Sequence, residues 1–327
     1  MAKVLGMGNA LVDIMIRIED ESIFGKYQLE KGGMRLTDSA TVQNLMNDLK
    51  HLPAEKAPGG SAANTVNGVA NLGMEAGFIG KVARDINGHF MEEDMLKNNI
   101  QPLLLKGEAP TGVAVALVTP DSERTFAVNL GCAIELSPDD ISPEQFYGYD
   151  YFHIEGYLVQ NHALLRKAVK LAKANNVKVS LDLASFDVVR ENLDFLKEIV
   201  SNYVDIVFTN EDEAKTFTGL NPEEALHKLY DDCEIAIVKV GKNGSMVKHQ
   251  DRVHKIGVIE ANSIDTTGAG DLYAGGFLYG LAKGLPVDKC GKIGSLLAAK
   301  VIEVLGAKME ADTWKWINTG VASIINS

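Results

Sequence analysis

Apolar and polar positions alternate along this chain with two different periods, and the change of period divides it into two kinds of territory. Ile14-Met15-Ile16-Arg17-Ile18 and Met34-Arg35-Leu36-Thr37 are short alternating pieces with acids and glycines between them, which predicts strands rather than helices across 13–38. The same texture returns over 112–118, where Val113, Val115 and Leu117 alternate, and over 124–130, with Thr119-Pro120-Asp121-Ser122 as the turn between. These separated pieces are expected to pair into one small sheet. Elsewhere short apolar runs alternate with helical spacing: strands at 3–8 and 78–82, a helix at 85–98, then strands at 151–154, 177–181 and 204–208 with helices at 162–174 and 188–200 between them. Such βα alternation predicts a parallel sheet covered by helices on both faces. A strand at 235–240 turns through Gly241-Lys242-Asn243-Gly244 into a second strand, and amphipathic helices are expected at 287–305 and 312–325.

Composition narrows the function without naming it. The 327 residues are 46% hydrophobic and 23% charged, an ordinary globular balance. That length suits two average domains or one large α/β domain with an insertion. The 44 acidic residues outnumber the 32 Lys and Arg for a formal charge of −12, and no basic run occurs, which argues against nucleic acid or an anionic membrane as partner. An acidic protein that takes a nucleotide must hold it with local donors and magnesium. Cys132, Cys233 and Cys290 are scattered, with no spacing for zinc or a redox motif, and fit a reducing compartment. No apolar run approaches the roughly 18 residues of a membrane span, and Met1-Ala2-Lys3 leads into strand-like Val4-Leu5 rather than a signal peptide, so a cytoplasmic location is expected.

The chemistry concentrates in 265–284, DTTGAGDLYAGGFLYGLAKG. Gly268-Ala269-Gly270 turns directly onto Asp271, after which Leu272, Ala274, Phe277, Leu278 and Leu281 recur at helical spacing. A helix start offers unpaired N–H groups and the positive end of the dipole, and glycines let an anion approach the backbone. Asp271 at that point can accept a proton from an alcohol while the N–H groups stabilise a phosphoryl group in transfer. A dipole-complementing acid after a tight turn accounts for the same residues without chemistry. Far upstream, Gly59-Gly60-Ser61-Ala62-Ala63-Asn64 forms a second Gly-rich stretch. Gly6-Met7-Gly8-Asn9 resembles the start of a dinucleotide fingerprint, but Leu11 stands where the third glycine belongs, which discounts NAD, and no P-loop motif occurs.

The two Gly-rich stretches together resemble the paired signatures of the PfkB family of sugar and nucleoside kinases, and the resemblance spans nearly the whole chain. Within that family GMGNALVDI (6–14), PTGVAVALV (110–118), SERTFAVNLG (122–131) and YVDIVFTNEDEA (203–214) look most like its adenosine kinases. The resemblance implies a ribokinase-like α/β fold, with a large nucleotide-binding domain from 1–9, 39–109 and 132–327 and a small discontinuous β lid from 10–38 and 110–131. It implies ATP as phosphate donor, with magnesium and, optionally, potassium. Asp271 would be the base, Gly268, Ala269 and Gly270 the anion-binding turn, and Arg124 a lid residue reaching the transferred phosphate; an ordinary strand arginine explains Arg124 as well. Asn9, Asp13, Gly59, Gly60 and Asn64 would hold the sugar. Tyr157 and Phe186, after two strands, could stack on a base, or serve simply as core.

On the nucleotide side the resemblance points to Thr266, Gly241, Gly244, Ser295, Ala298 and Asn210. Lys239 stands where the family usually has Thr, a departure that bears on the donor. Asn210 and Glu213 match an Asn-x-x-Glu element that holds magnesium through waters, although an acid-rich helix start accounts for them too. Carbonyls near Asp265 and Thr267 would form the monovalent-cation site. The expected acceptor is a ribosyl primary hydroxyl, adenosine first, with ribose, fructose or a keto-deoxy acid as rivals and a catalytically silent nucleoside sensor as a different class. A monomer or homodimer is expected.

Overall fold

In the computed structural model, residues 2–121 and 123–327 are described, so Ser122 of the expected turn lies outside them. The chain begins with β1 (Val4–Met7), β2 (Leu11–Arg17), α1 (Ser22–Tyr27), β3 (Met34–Leu36), α2 (Ser39–Asp48) and β4 (Ala54–Gly59). Next come α3 (Ser61–Asn71), β5 (Ala76–Val82), α4 (Ile86–Lys97), β6 (Ile100–Lys106), β7 (Thr111–Val118) and β8 (Arg124–Gly131). The regular alternation then sets in: β9 (Tyr151–Glu155), α5 (His162–Ala174), β10 (Lys178–Asp182), α6 (Phe186–Glu191), α7 (Leu193–Tyr203), β11 (Ile206–Asn210), α8 (Glu211–Thr218), α9 (Pro222–Tyr230) and β12 (Ile235–Lys239). After β13 (Ser245–His249) and β14 (Arg252–Ile256) the helices α10 (Ala269–Ala282), α11 (Val287–Val301) and α12 (Ala311–Asn326) follow.

Nine strands form the large sheet in the order β14-β13-β12-β11-β10-β9-β1-β5-β6. Pairing is parallel from β12 to β6, and β13 and β14 add an antiparallel edge. Its central strands are apolar on both faces, as a sheet covered twice requires. On one face Phe78, Phe208, Phe277 and Leu297 join α3, α10, α11 and α12; on the other Phe152, Leu181 and Leu196 join α5, α7, α8 and α9. The expected α/β class is thus present, with all the parallel strands ending on one edge, where α/β sheets bind ligands.

The second, smaller sheet runs β3-β8-β7-β2-β4. Along β2 the alternation separates two roles: Val12, Ile14 and Ile16 are buried with Phe24, Val42 and Leu45 of α1 and α2, so Asp13 and Met15 project from the opposite face. That face looks toward the connection between the helices at 287–301 and 311–326, since Met15 Sδ lies 3.3 Å from where a Cβ on Gly306 would stand.

Four boundaries differ from the sequence reading. The stretch 13–38 is not all strand, because Asp20 accepts from the N–H and hydroxyl of Ser22 and starts α1, whose Phe24 is buried. Residues 54–59, grouped above with the large domain, pair antiparallel with β2 from Leu11↔Gly59 to Ile16↔Ala54 and belong to the small sheet. The helix expected over 188–200 is two helices, since Asn192 (φ −125°) leaves helical geometry and turns its amide onto the Val188 carbonyl at 3.0 Å. The helix expected to reach residue 305 stops at Val301.

Candidate active site

Three chain turns from remote parts of the sequence meet between the two sheets. The first is the start of α10. Gly268 sits at φ +77°, and a Cβ there would stand 2.6 Å from the Cβ of Ala307, so both backbone and space demand glycine. The Ala269 N–H is spent on the Thr266 carbonyl at 3.2 Å. The N–H groups of Gly270 and Asp271 have no such acceptor among the described residues, so these two are left free at the helix tip. Thr266 itself is exposed.

The second turn is the start of α3, which follows β4 after Gly60 alone (φ +102°). Ser61 Oγ donates to Asp271 Oδ1 at 2.7 Å and Asn64 Nδ2 donates to Asp271 Oδ2 at 2.9 Å. Asn64, expected to meet a sugar hydroxyl, thus spends one of its side-chain N–H donors on Asp271. Burial pushes the Asp271 carboxyl up to about 6, the donors from Asn64 and Ser61 and the Lys239 charge pulling down while Asp182 pushes up. The result is a carboxylate ionised at neutral pH yet basic enough to take a proton.

The third turn follows β1. Asn9 is buried, and its N–H and its side-chain amide donate to Glu155 Oε1 at 2.8 and 2.7 Å, while Ala62 N–H reaches Glu155 Oε2 at 3.1 Å. Glu155, at the end of β9, thus ties Asn9 to α3, and burial raises it to about 7. A Cβ on Gly60 would stand 2.1 Å from the Asn9 carbonyl, and one on Gly59 would overlap the Asp13 carboxylate. Asp13 is raised to about 7 by burial and then by Asp271, with Arg124 opposing and Asp265 adding to the rise. Asp13, Asn64 and Asp271 therefore share one crevice.

Arg124 comes from the small sheet and crosses to the α10 turn. Its Nη1 lies 2.5 Å from Asp265 Oδ2 and 3.3 Å from Thr267 Oγ1, while Nε and Nη2 are buried with no partner among the described residues. Asp265 also accepts from the N–H of Thr267 at 3.0 Å on Oδ1 and of Gly306 at 2.8 Å on Oδ2, the oxygen that Arg124 pairs with.

The residues expected on the nucleotide side lie beyond β11 and β12 and on α11. Asn210 and Glu213 form a reciprocal capping box: Glu213 N–H donates to Asn210 Oδ1, and Asn210 N–H donates to Glu213 Oε2, both at 2.9 Å. Among the described residues no group of three His, Cys, Asp or Glu is placed to hold a metal ion. Both Glu213 oxygens accept from Asn210, and burial, then Asp182, raises the carboxyl to about 7, so the pair does not form a direct ligand set and would meet magnesium only through water. Gly241 (φ +52°) and Gly244 (φ +89°) shape the turn between β12 and β13. Ser295 donates to the Gly257 carbonyl at 2.9 Å, with Ala298 half-buried one turn on. Tyr157 lies within electrostatic reach of Glu155 and Asp271, whereas Phe186 is half-exposed with the Arg190 guanidinium 5.9 Å from its ring centroid.

Ser61, Glu155 and Asp182 escaped the sequence reading. The only signal for the two acids is their place, each ending an apolar run, YFHIE and KVSLD.

A carboxylate and free amides at one helix tip, at the carboxyl edge of a doubly covered parallel sheet and under a small second sheet, define an ATP-dependent kinase with an alcohol group as acceptor. The chain belongs to the pfkB family of carbohydrate kinases, whose profile matches residues 45–314. It is similar to a probable sugar kinase from Rhizobium etli (32% identity, TM-score 0.88, 99% of each chain). It is similar also to the adenosine kinase from Sinorhizobium meliloti (32% identity, TM-score 0.87, 98% of this chain and 99% of that one). A nucleoside kinase of Methanocaldococcus jannaschii is 30% identical over 271 residues, 80% of this chain and 84% of the relative. The chain is accordingly a kinase of sugars or nucleosides that uses ATP.

Because the Ser61 hydroxyl favours the charged form of Asp271, Ser61→Ala is expected to shift the acid limb of kcat/KM upward from about pH 6. A pH–rate profile checks this, and an unmoved limb would show that the bond does not bear on the base.

Proposed function

We propose that the protein transfers the γ-phosphate of ATP to the primary hydroxyl of a ribosyl substrate, with adenosine, giving AMP and ADP, as the leading acceptor. The observation that carries the reading is Asp271 at the tip of α10, held by Ser61 and Asn64 in the crevice it shares with Asp13. The hydroxyl proton passes to the Asp271 carboxylate, the freed oxygen attacks the γ-phosphorus in line, and the bond to the β-phosphate oxygen breaks to release ADP. The amides of Gly270 and Asp271 stabilise the charge on the group in transit. Asp13, with Gly59, Gly60 and Asn9 shaping its surroundings, orients the ribose hydroxyls, and Tyr157 stacks on the base, Phe186 closing the rim. Thr266, Gly241, Gly244, Ser295 and Ala298 line the nucleotide, and Asn210 and Glu213 would hold magnesium through water. Bound magnesium would neutralise phosphate charge. Potassium at the carbonyls near Asp265 and Thr267, a monomeric or homodimeric state and a cytoplasmic location belong to the same proposal.

The likeness at 32% identity to an adenosine kinase supports adenosine as acceptor, and equal identity to a probable sugar kinase supports a free sugar as well, so the acceptor is the point to test. A panel of adenosine, other nucleosides, ribose, fructose and a keto-deoxy acid, each with ATP and scored by ADP release, is expected to single out adenosine. Turnover of a free sugar with none of adenosine would make it a sugar kinase. Nucleoside binding with no ADP formed from any acceptor would make it a sensor.

A further inference from the structure

Resting on that kinase reading, we propose that Lys239, held in place by Asp182, is the fixed cation that binds the transferred phosphoryl group from the sheet side, opposite Arg124. Lys239 ends β12 and Asp182 ends β10, both on the ligand-binding edge. Lys239 Nζ lies 2.8 Å from Asp182 Oδ2, and a Cβ on Gly270 would stand 3.0 Å from that same nitrogen. Gly270 thus lets the ammonium sit beside the two free amides of the helix tip. Asp182 is its one hydrogen-bond acceptor among the described residues, which leaves two of its three donors for another partner. An anion in the turn is the one ligand that would satisfy the ammonium and the amides together.

Charge supports the same assignment. Burial alone would depress Lys239, but Asp182, Glu213 and Asp271 outweigh it and hold the ammonium charged. A buried ion pair contributes little to stability against an apolar replacement, so its place at the phosphate-facing end of two strands calls for a function. Arg124, from the small sheet, reaches Asp265 and Thr267 just before the Gly268–Asp271 turn, and Lys239 meets Gly270 within it from the large sheet, so charge spreading over the equatorial oxygens has a cation toward each end of the turn. Asp182 is a positioning residue: it fixes the ammonium and does not itself face the phosphate as a ligand.

The test reads kinetics and pH together. Asp271 is faced by Asp182 and Lys239 from the sheet, Ser61 and Asn64 from α3, Glu155 and Tyr157 from β9 and the turn after it, and Asp13 from the small sheet. Lys239→Met is expected to lower kcat about 10²–10³-fold with the acceptor KM little changed, and to move the acid limb of kcat/KM to higher pH, because a charge favouring ionised Asp271 is gone. Asp182→Asn is expected to move that limb the other way, because a charge opposing ionisation is gone. Opposite shifts separate this role from mere support of the fold, and Asp182→Asn reports even if Lys239→Met fails to fold. Near-normal kcat in Lys239→Met, or limbs that stay put or move together, would overturn the proposal while a turning-over wild type leaves the kinase reading intact. A wild type that releases no ADP with any acceptor would instead remove the reading beneath it.

Discussion

Asp271→Asn is expected to lower kcat by about 10²–10⁴-fold, with KM for ATP and acceptor near normal. The substitution keeps size and shape but removes the proton acceptor. It is also gentle on the fold, because the new amide nitrogen can face Ser61, whose hydroxyl rotates to accept, while the remaining oxygen still accepts from Asn64. Steady-state kinetics at several pH values, with melting temperature as the control for folding, provide the check. Turnover retained within a few-fold of wild type would show that the proton leaves by another route and that the acid merely caps its helix.

Arg124→Met is expected to damage both rate and stability, and a second substitution pulls the two apart. The Arg124–Asp265 pair has side chains 7% and 4% exposed, so the single change leaves a buried carboxylate without its cation, at a cost of about 3–5 kcal/mol. Arg124→Met/Asp265→Asn removes both charges and should recover part of the melting temperature, the amide keeping one of the two acceptors that Thr267 and Gly306 use. The rate should stay down by about 10³-fold, since the unpartnered Nε and Nη2 are the groups left to meet phosphate oxygens. Recovery of rate with stability would reduce Arg124 to a structural tie.

How far the sequence carried can be judged residue by residue. Strands such as β9, β10 and β11 were legible because a doubly covered strand must be apolar throughout, and the start of α10 beside Asp271 was legible because glycines precede it and a helical period follows. Local competition hid more: Asn192 breaks a helix whose apolar period runs straight across it, and Asp20 nucleates α1 inside a stretch that alternates like a strand. β4 was hidden because only Ala57 and Gly59 are buried in it, and only pairing with β2 gives AEKAPG its meaning. The site was half visible. Ser61 touches Asp271 across 210 positions and Glu155 holds Asn9 across 146, and nothing in either residue's neighbourhood announces such a partner. These contacts exist only once the strand order is known.

One residue, Gly60, joins β4 of the small sheet to α3, whose first turn carries Ser61 and Asn64. Anyone who re-engineers the cover to admit a bulkier acceptor, by grafting strands from a relative, will therefore be handling the settings of the proton acceptor as well. Substrate range and acid tolerance should travel together through such chimaeras, and a graft that breaks before residue 54 would be the way to change one and spare the other.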